Sequence, residues 1–390
     1  MRYEYAVIGA GRQGVAIAYD LARNGEASRI RIADRELSLA QEAVRRLSTL
    51  LPASAGIFEP LVCDAGDASS VRSVLSGTRT TISATPYRFN ALLAREAVEC
   101  GSSFCDLGGN TSVVREELAL DAAARRRGVS VVPDCGLAPG LCNHLAAHGV
   151  AQLERARSVR LFCGGIPERP VGPLGYKLVF SFEGLVNEYS GFGECLREGR
   201  RVDVPALTEQ EDVEVAGLGR LEAAVTSGGT STAPETWRGK LERYEYKTLR
   251  WPGHWAILRA LFQLGAFERE LALPGGERLA PRDTMRALFE TSLRFPDVED
   301  LVVLRVEVEG LHRGRSRRLV YDLLDRADRR TGFSAMERST AFPAALVAYL
   351  QARGSVSPGA VPLETSVPAE LFFEELAAHD VRVALRESDA

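Results

Sequence analysis

The chain has 390 residues, of which 45% are hydrophobic and 26% charged, and a formal net charge of −4. That length exceeds one ordinary core and points to two domains of a globular protein. The slightly acidic balance, with Lys and Arg scattered, excludes a basic nucleic-acid surface, and residues 135–153, which include Pro139, Asn143 and His148, are poor material for a membrane span.

Residues 5–8 (Tyr-Ala-Val-Ile) form a strand pattern that runs without a spacer into Gly9-Ala10-Gly11-Arg12-Gln13-Gly14. Helix formers fill 15–23, Asn24-Gly25 supplies a stop, and 30–33 form a second strand ending on Asp34. Strand, glycine-rich turn, helix, strand and acid follow one another as a dinucleotide-binding unit requires. Gly9 permits the tight turn, Gly11 lets backbone approach a pyrophosphate, and Gly14 lets helix pack on strand. The helix start at Arg12 and Gln13 offers N–H groups to phosphates. Asp34 suits both hydroxyls of the adenosine ribose and repels a 2′-phosphate, which favours NAD over NADP. Arg35 has two open roles, stacking on adenine or meeting a 2′-phosphate.

Residues 37–50 show a helical pattern, and 60–63 a strand ending on Asp64. Asp64 is a candidate acceptor for the adenine amino group and equally a turn or cap acid. A strand at 80–84 leads to Thr85 and Pro86, candidates for the nicotinamide half because strand ends on this side of a parallel sheet form the ligand crevice. A helix over 90–100 and a strand at 103–105 lead to Asp106-Leu107-Gly108-Gly109-Asn110. Small residues there allow close approach, which adds Leu107 and Gly108 to the cofactor candidates. A helix over 112–127 and a strand at 129–132 complete the alternation. The expectation is an α/β protein whose residues 1–134 form a Rossmann-type parallel sheet.

Two glycines and two prolines within 133–141 mark the exit to a second domain, residues 135–330, beginning with a helix over 141–153. Strand patterns at 160–163, 177–181, 300–308 and 318–324 lack regular intervening helices, so this α+β domain is expected to carry a mixed or antiparallel sheet. Helices are expected at 255–264 and near 282–293. Residues 331–390 are read as helices at 340–352 and 370–378, packing back on the first domain. Seven cysteines without a CxxC pair and five scattered histidines predict neither a disulfide set nor a metal site.

Residues 133–141 (PDCGLAPGL) resemble the exit motif of the saccharopine dehydrogenase-like family. Residues 173–189 (PLGYKLVFSFEGLVNEY) are most similar to the lysine 6-dehydrogenases within it, and 226–229 and 246–254 (YKTLRWPGH) are also family-like. Trp251 departs from the more usual tyrosine. The resemblance implies NAD-linked oxidation at a side-chain amine. Lysine would lose hydride from its ε-carbon, and water would convert the imine to 2-aminoadipate 6-semialdehyde, which cyclises to a piperideine carboxylate. A sister reading is a secondary-amine substrate such as saccharopine or carboxynorspermidine, whose extra carboxylate needs a further cation; Arg169, Lys240 and Lys247 keep it open. A third is a non-catalytic NAD-binding protein.

The chemistry needs a base near the ε-nitrogen, a cation for the carboxylate and an acid for the α-ammonium. Arg250 suits the carboxylate by its planar fork, Glu183 the ammonium, and Lys177 or His254 the base. Each also has a structural reading: a turn cap for Glu183, a solvated charge for Lys177, an interdomain ion pair for Arg250 and a helix start for His254. The expected partners are an amino-acid substrate and further copies of the chain in a homodimer or higher homo-oligomer. A strand by Tyr5 leaves no room for a signal peptide, so the expected location is cytoplasmic.

Overall fold

The computed structural model describes residues 2–389. Strands β1 (Tyr3–Ile8), β2 (Ala27–Asp34), β3 (Phe58–Val62), β4 (Thr80–Ser83), β5 (Ser103–Asp106) and β6 (Ser130–Val132) pair in parallel in the order β6-β5-β4-β1-β2-β3. Tyr5, Ala6 and Val7 on β1 have no exposed surface, as a strand covered by helices on both faces requires. Strand order reverses between β1 and β4, so a crevice opens where the carboxyl ends of both strands diverge. The turn after β1, Thr85 after β4, Leu107 after β5 and Asp134 after β6 all lie at that edge.

The second sheet contains β7 (Arg155–Pro167), β8 (Phe192–Arg197), β9 (Arg200–Pro205), β10 (Glu211–Val215), β11 (Gly219–Val225) and β12 (Arg243–Arg250). After a small hairpin, β13 (Leu271–Ala272) with β14 (Arg278–Leu279), come β15 (Asp300–His312) and β16 (Arg315–Arg326). The long β15 pairs antiparallel with β7 and β16, while β12 pairs parallel with β7, so the sheet is mixed. The α/β class with a parallel Rossmann sheet and a second mixed sheet is thus as expected.

Local departures have local causes. Residues 177–181 form no strand. The Leu178 N–H donates to the Leu293 carbonyl at 2.9 Å, and Val179 packs in a cluster with Leu185 and Phe289, so the apolar pattern serves packing and not a ladder. The helix expected over 112–127 is two, Thr111–Leu118 and Asp121–Arg127. The C-terminal helix begins earlier than 340: it spans Ala335–Ala352, entered by a capping box in which Ser334 and Glu337 satisfy each other's backbone N–H groups. That buried helix lies against helix Arg12–Asn24 and against β4 and β5. The chain then adds β17 (Gly359–Ala360) in parallel to β6, and β18 (Ala384–Asp389) antiparallel to β16, so its end joins the second sheet. Among the described residues, no helix is long and apolar enough to cross a membrane, and no cluster of His, Cys, Asp or Glu is arranged to hold a metal.

Candidate nucleotide cleft and active site

The turn after β1 has the geometry a dinucleotide needs. Gly9 has φ +104°, and a Cβ there would lie 2.7 Å from the Ala84 carbonyl oxygen. A Cβ on Gly14 would lie 1.8 Å from the Gly9 oxygen, whereas one on Gly11 would meet nothing within 4 Å. Two glycines are therefore fixed by packing, and the third faces open space where a pyrophosphate fits. At the end of β2, Asp34 accepts from the Ala10 N–H at 2.9 Å and the Glu36 N–H at 3.2 Å, which fixes its carboxylate beside the turn. Arg35 points outward toward Glu36, 3.7 Å away. Asp64 is exposed and closes a turn by accepting from the Gly66 N–H at 2.9 Å. Arg12 is turned to the C-terminal helix, 2.5 Å from Glu337 and 3.1 Å from the Ser334 hydroxyl. Gln13 donates to the Met336 carbonyl at 3.3 Å and leaves its buried side-chain oxygen without a donor at the cleft.

Between the two sheets lies a cavity of about 390 Å³. The strand ends supply Thr85, Pro86, Leu107, Gly108 and Asp134, and the second domain supplies Glu188, Tyr246 and Arg250. Asn187 ties the walls together by donating to the Gly109 carbonyl at 3.2 Å.

Arg250, at the end of β12, is only 2% exposed. Its Nε donates to the Tyr189 hydroxyl at 2.7 Å and its Nη1 to the Leu249 carbonyl at 2.9 Å. Tyr176, Tyr189 and Trp255 surround the guanidinium with ring centroids at 5.0, 5.5 and 5.8 Å. Among the described residues Glu188, 3.4 Å from Nη2, is its one acidic partner, and it also accepts from the Thr248 hydroxyl at 2.5 Å. Burial opposes the positive charge, but Tyr189, Glu188 and Tyr176 together keep the guanidinium above its ordinary pKa.

His254 stands behind this group and not in the cleft. The Leu174 carbonyl at 3.0 Å can only accept, so Nδ1 carries the proton and Nε2 accepts from the Tyr189 hydroxyl, also at 3.0 Å. Burial, and then the charge of Arg250, push the His254 pKa down to about 3. A neutral imidazole thus orients Tyr189, which orients Arg250.

Asp134, on the opposite wall, was not among the sequence candidates. It is 2% exposed and has φ +62°, a left-handed conformation uncommon outside glycine. One oxygen accepts from the Ser231 hydroxyl at 2.5 Å; the other faces the Gly109 N–H without making a well-formed hydrogen bond. Burial, then the neighbouring Asp106, raise its pKa to about 7. That value suits a general base near neutral pH. The strand-end rule that selects Thr85 and Leu107 also selects Asp134, so a signal was there to be read. Glu188 lies within the family-like stretch 173–189, but in the sequence alone nothing marks it above Glu183, because the choice depends on how helix Phe182–Glu188 is rotated.

The remaining candidates are dispersed. Lys177 donates to the Val298 carbonyl at 2.6 Å, away from the cleft lining. Glu183 is drawn outward into ion pairs with Arg282, at 2.5 Å, and with Arg286. Lys247 is held by Glu211 at 2.6 Å, Lys240 sits 5.7 Å from the Trp237 ring, and Arg169 lines a separate hollow beside Phe295. Among the described residues, Arg250 is therefore the one cation lining the cleft, facing the acids Asp134 and Glu188.

Comparison with known proteins agrees with this frame. Residues 5–132 match the family described as saccharopine dehydrogenase NADP binding domain, and residues 136–381 the saccharopine dehydrogenase C-terminal domain. The chain belongs to the saccharopine dehydrogenase family, and its first sheet is a pyridine-nucleotide-binding domain. It is similar to the saccharopine dehydrogenase (NADP(+), L-glutamate-forming) of Schizosaccharomyces pombe, 27% identical over 191 residues, covering 47% of this chain and 40% of that protein. The Pyricularia oryzae enzyme of the same name is 25% identical over 170 residues, covering 42% of this chain and 37% of its own. The chain thus matches less than half the length of either relative. The apo saccharopine dehydrogenase (L-Glu forming) from Saccharomyces cerevisiae shares the fold, with a TM-score of 0.77 over 99% of this chain and 100% of that chain at 18% identity.

Proposed function

We propose that the protein is an NAD-linked dehydrogenase of the lysine 6-dehydrogenase type, oxidising the terminal amine carbon of a diamino monocarboxylic acid such as L-lysine. The observation that carries this reading is the charge set of the cleft: one cation, Arg250, against two acids, Asp134 and Glu188. Lysine presents the complement, one carboxylate and two ammonium groups. Saccharopine brings further carboxylates, and the cations that would receive them are engaged elsewhere. NAD is favoured by the Asp34 carboxylate at the end of β2.

In this reading the planar fork of Arg250 receives the carboxylate, and Glu188 receives the α-ammonium. Asp134 takes the proton from the ε-ammonium, which frees the nitrogen lone pair to form C=N as the C–H electron pair leaves. The bound nicotinamide supplies the hydride acceptor. Asp134 then gives its proton up to solvent and accepts another from the water that adds to the imine carbon. The carbinolamine nitrogen takes the proton from Asp134 and leaves as ammonia while the hydroxyl proton passes to solvent and the C=O forms; the aldehyde then closes on the α-amine with loss of water.

The test is NADH absorbance with NAD and L-lysine at alkaline pH, with an aminobenzaldehyde reagent present. NADH together with the coloured adduct of the cyclic imine is the expected result. NADH with a cyclic imine whose C=N carbon bears the carboxylate, read by NMR of the product, would move oxidation to the α-carbon and overturn the assignment. Silence with every amine, while NAD raises the melting temperature, would favour the non-catalytic reading.

A further inference from the structure

Beneath the cleft floor, Asp134, Asp106, Glu117 and Glu364 are all buried, and among the described residues none of the four is ion-paired. Unpaired buried carboxylates are costly, and adjacent ones cannot all ionise. Where the protons reside follows from the donors each acid has. One oxygen of Asp106 accepts from the Gly108 N–H at 2.6 Å and the Asp134 N–H at 3.3 Å. Glu117, on helix Thr111–Leu118, meets the carboxyl of Asp106, and neither of its oxygens has any other donor. Burial raises the pKa of both acids; at Asp106 the Glu117 carboxyl and the backbone donors oppose that rise, whereas at Glu117 nothing opposes it, so of the two Asp106 is the one that holds the charge. The shared proton therefore belongs to Glu117, which donates its O–H to Asp106.

We propose that Glu117 is a positioning residue, a permanently protonated acid whose O–H fixes one negative charge on Asp106 directly behind Asp134. The role of Asp134 as base rests on the amine-oxidation reading above; the protonated state of Glu117 does not. Burial and the adjacent Asp106 push the Glu117 carboxyl far above its usual range, in accord with this placement. Asp134 faces Asp106 from β5, Glu364 from helix Leu363–Ser366, the Gly109 N–H and the Ser231 hydroxyl; Glu117 faces Asp106, with Asp134 beyond it and Glu116 on its own helix. Ser231, like Asp134, is left-handed, with φ +51°. Two strained residues joined by one hydrogen bond show that the fold holds this contact against a backbone cost. The fixed charge keeps Asp134 basic enough to take a proton from an ammonium and favours a cationic substrate over a neutral one.

Two measurements test it. Infrared difference spectra between wild type and Glu117→Gln, without nucleotide or amine at about pH 9, where ordinary carboxyls are ionised, read the proton directly. A protonated-carboxyl C=O band in wild type that is missing from Glu117→Gln is expected; no such difference would overturn the proposal. The second is the acidic break in log kcat/KM against pH. Glu117→Gln still donates a hydrogen bond to Asp106 and should leave the break in place. Glu117→Val removes the donor, so Asp106 takes up a proton and the break should fall by about one unit, a tenfold change in proton affinity. A break that moves equally in both variants would mean that Glu117 carries charge, contrary to the proposal. The infrared arm requires no turnover, so it succeeds or fails separately from the amine-oxidation reading.

Discussion

The turn proposed to receive the nucleotide is backbone within residues 9–14, whereas the cleft wall beside it draws Asp134, Glu188 and Arg250 from three separate segments. In the turn, a side chain matters mainly where a Cβ has no room, as at Gly9 and Gly14. In the wall, each polar atom depends on another: Arg250 on Tyr189, Tyr189 on His254, and Asp134 on Ser231 and Asp106. Changes in the wall should therefore alter chemistry and substrate affinity, and changes beside the turn should alter nucleotide choice.

The largest effect is expected at Asp134. Asp134→Asn should lower kcat by about 10²–10⁴-fold, the usual contribution of a general base, with nucleotide affinity held. In wild type the protonated acid cannot take the amine's proton, so kcat/KM should rise with pH through about 7, the value to which burial and Asp106 raise this group. A variant that kept full activity would remove Asp134 from the chemistry. Arg250→Lys comes next, because it keeps charge but loses the fork. The KM for the amino acid should rise roughly 10–100-fold, as expected for losing one charge-assisted hydrogen bond, while NAD affinity stays level. A parallel loss of both would make Arg250 a structural residue. Asp34→Ala should weaken NAD by about tenfold, one or two hydrogen bonds, and narrow the preference over NADP proposed above. An unchanged Kd for NAD would take Asp34 out of the nucleotide site. Smallest of all, Lys177→Met and Glu183→Gln should change kcat/KM by less than about threefold, the surface ion pairs of Glu183 being weak ones. A large loss in either would mean that the cleft extends to them.

The same contrast explains what the sequence could show. The Gly9–Gly14 turn and Asp34 are legible because the motif and its helix are contiguous, and local backbone geometry dictates the residue types. The parallel sheet is legible from alternation, which survives errors of two or three residues at each end. Position 177–181 misled because an apolar run satisfies a packed loop as well as a strand. Glu183 and Glu188 sit one helical turn and a little more apart, so which one faces the cleft depends on how helix Phe182–Glu188 is rotated. The buried acids Asp106, Glu117 and Asp134 are spread over 29 positions, from 106 to 134, and only the meeting of β5, β6 and a flanking helix brings them together. The C-terminal helix shows a readable cap, Ser334 to Glu337, which the periodicity over 340–352 concealed.

The most direct test of the cleft's charge set is a side-by-side measurement of kcat/KM for L-lysine and for saccharopine, at equal pH and with NAD. One lining cation facing two acids predicts NADH formation with lysine and little or none with saccharopine. Ready turnover of saccharopine with silence on lysine would show that the carboxylates find cations other than Arg250, and the account of the cleft would fall.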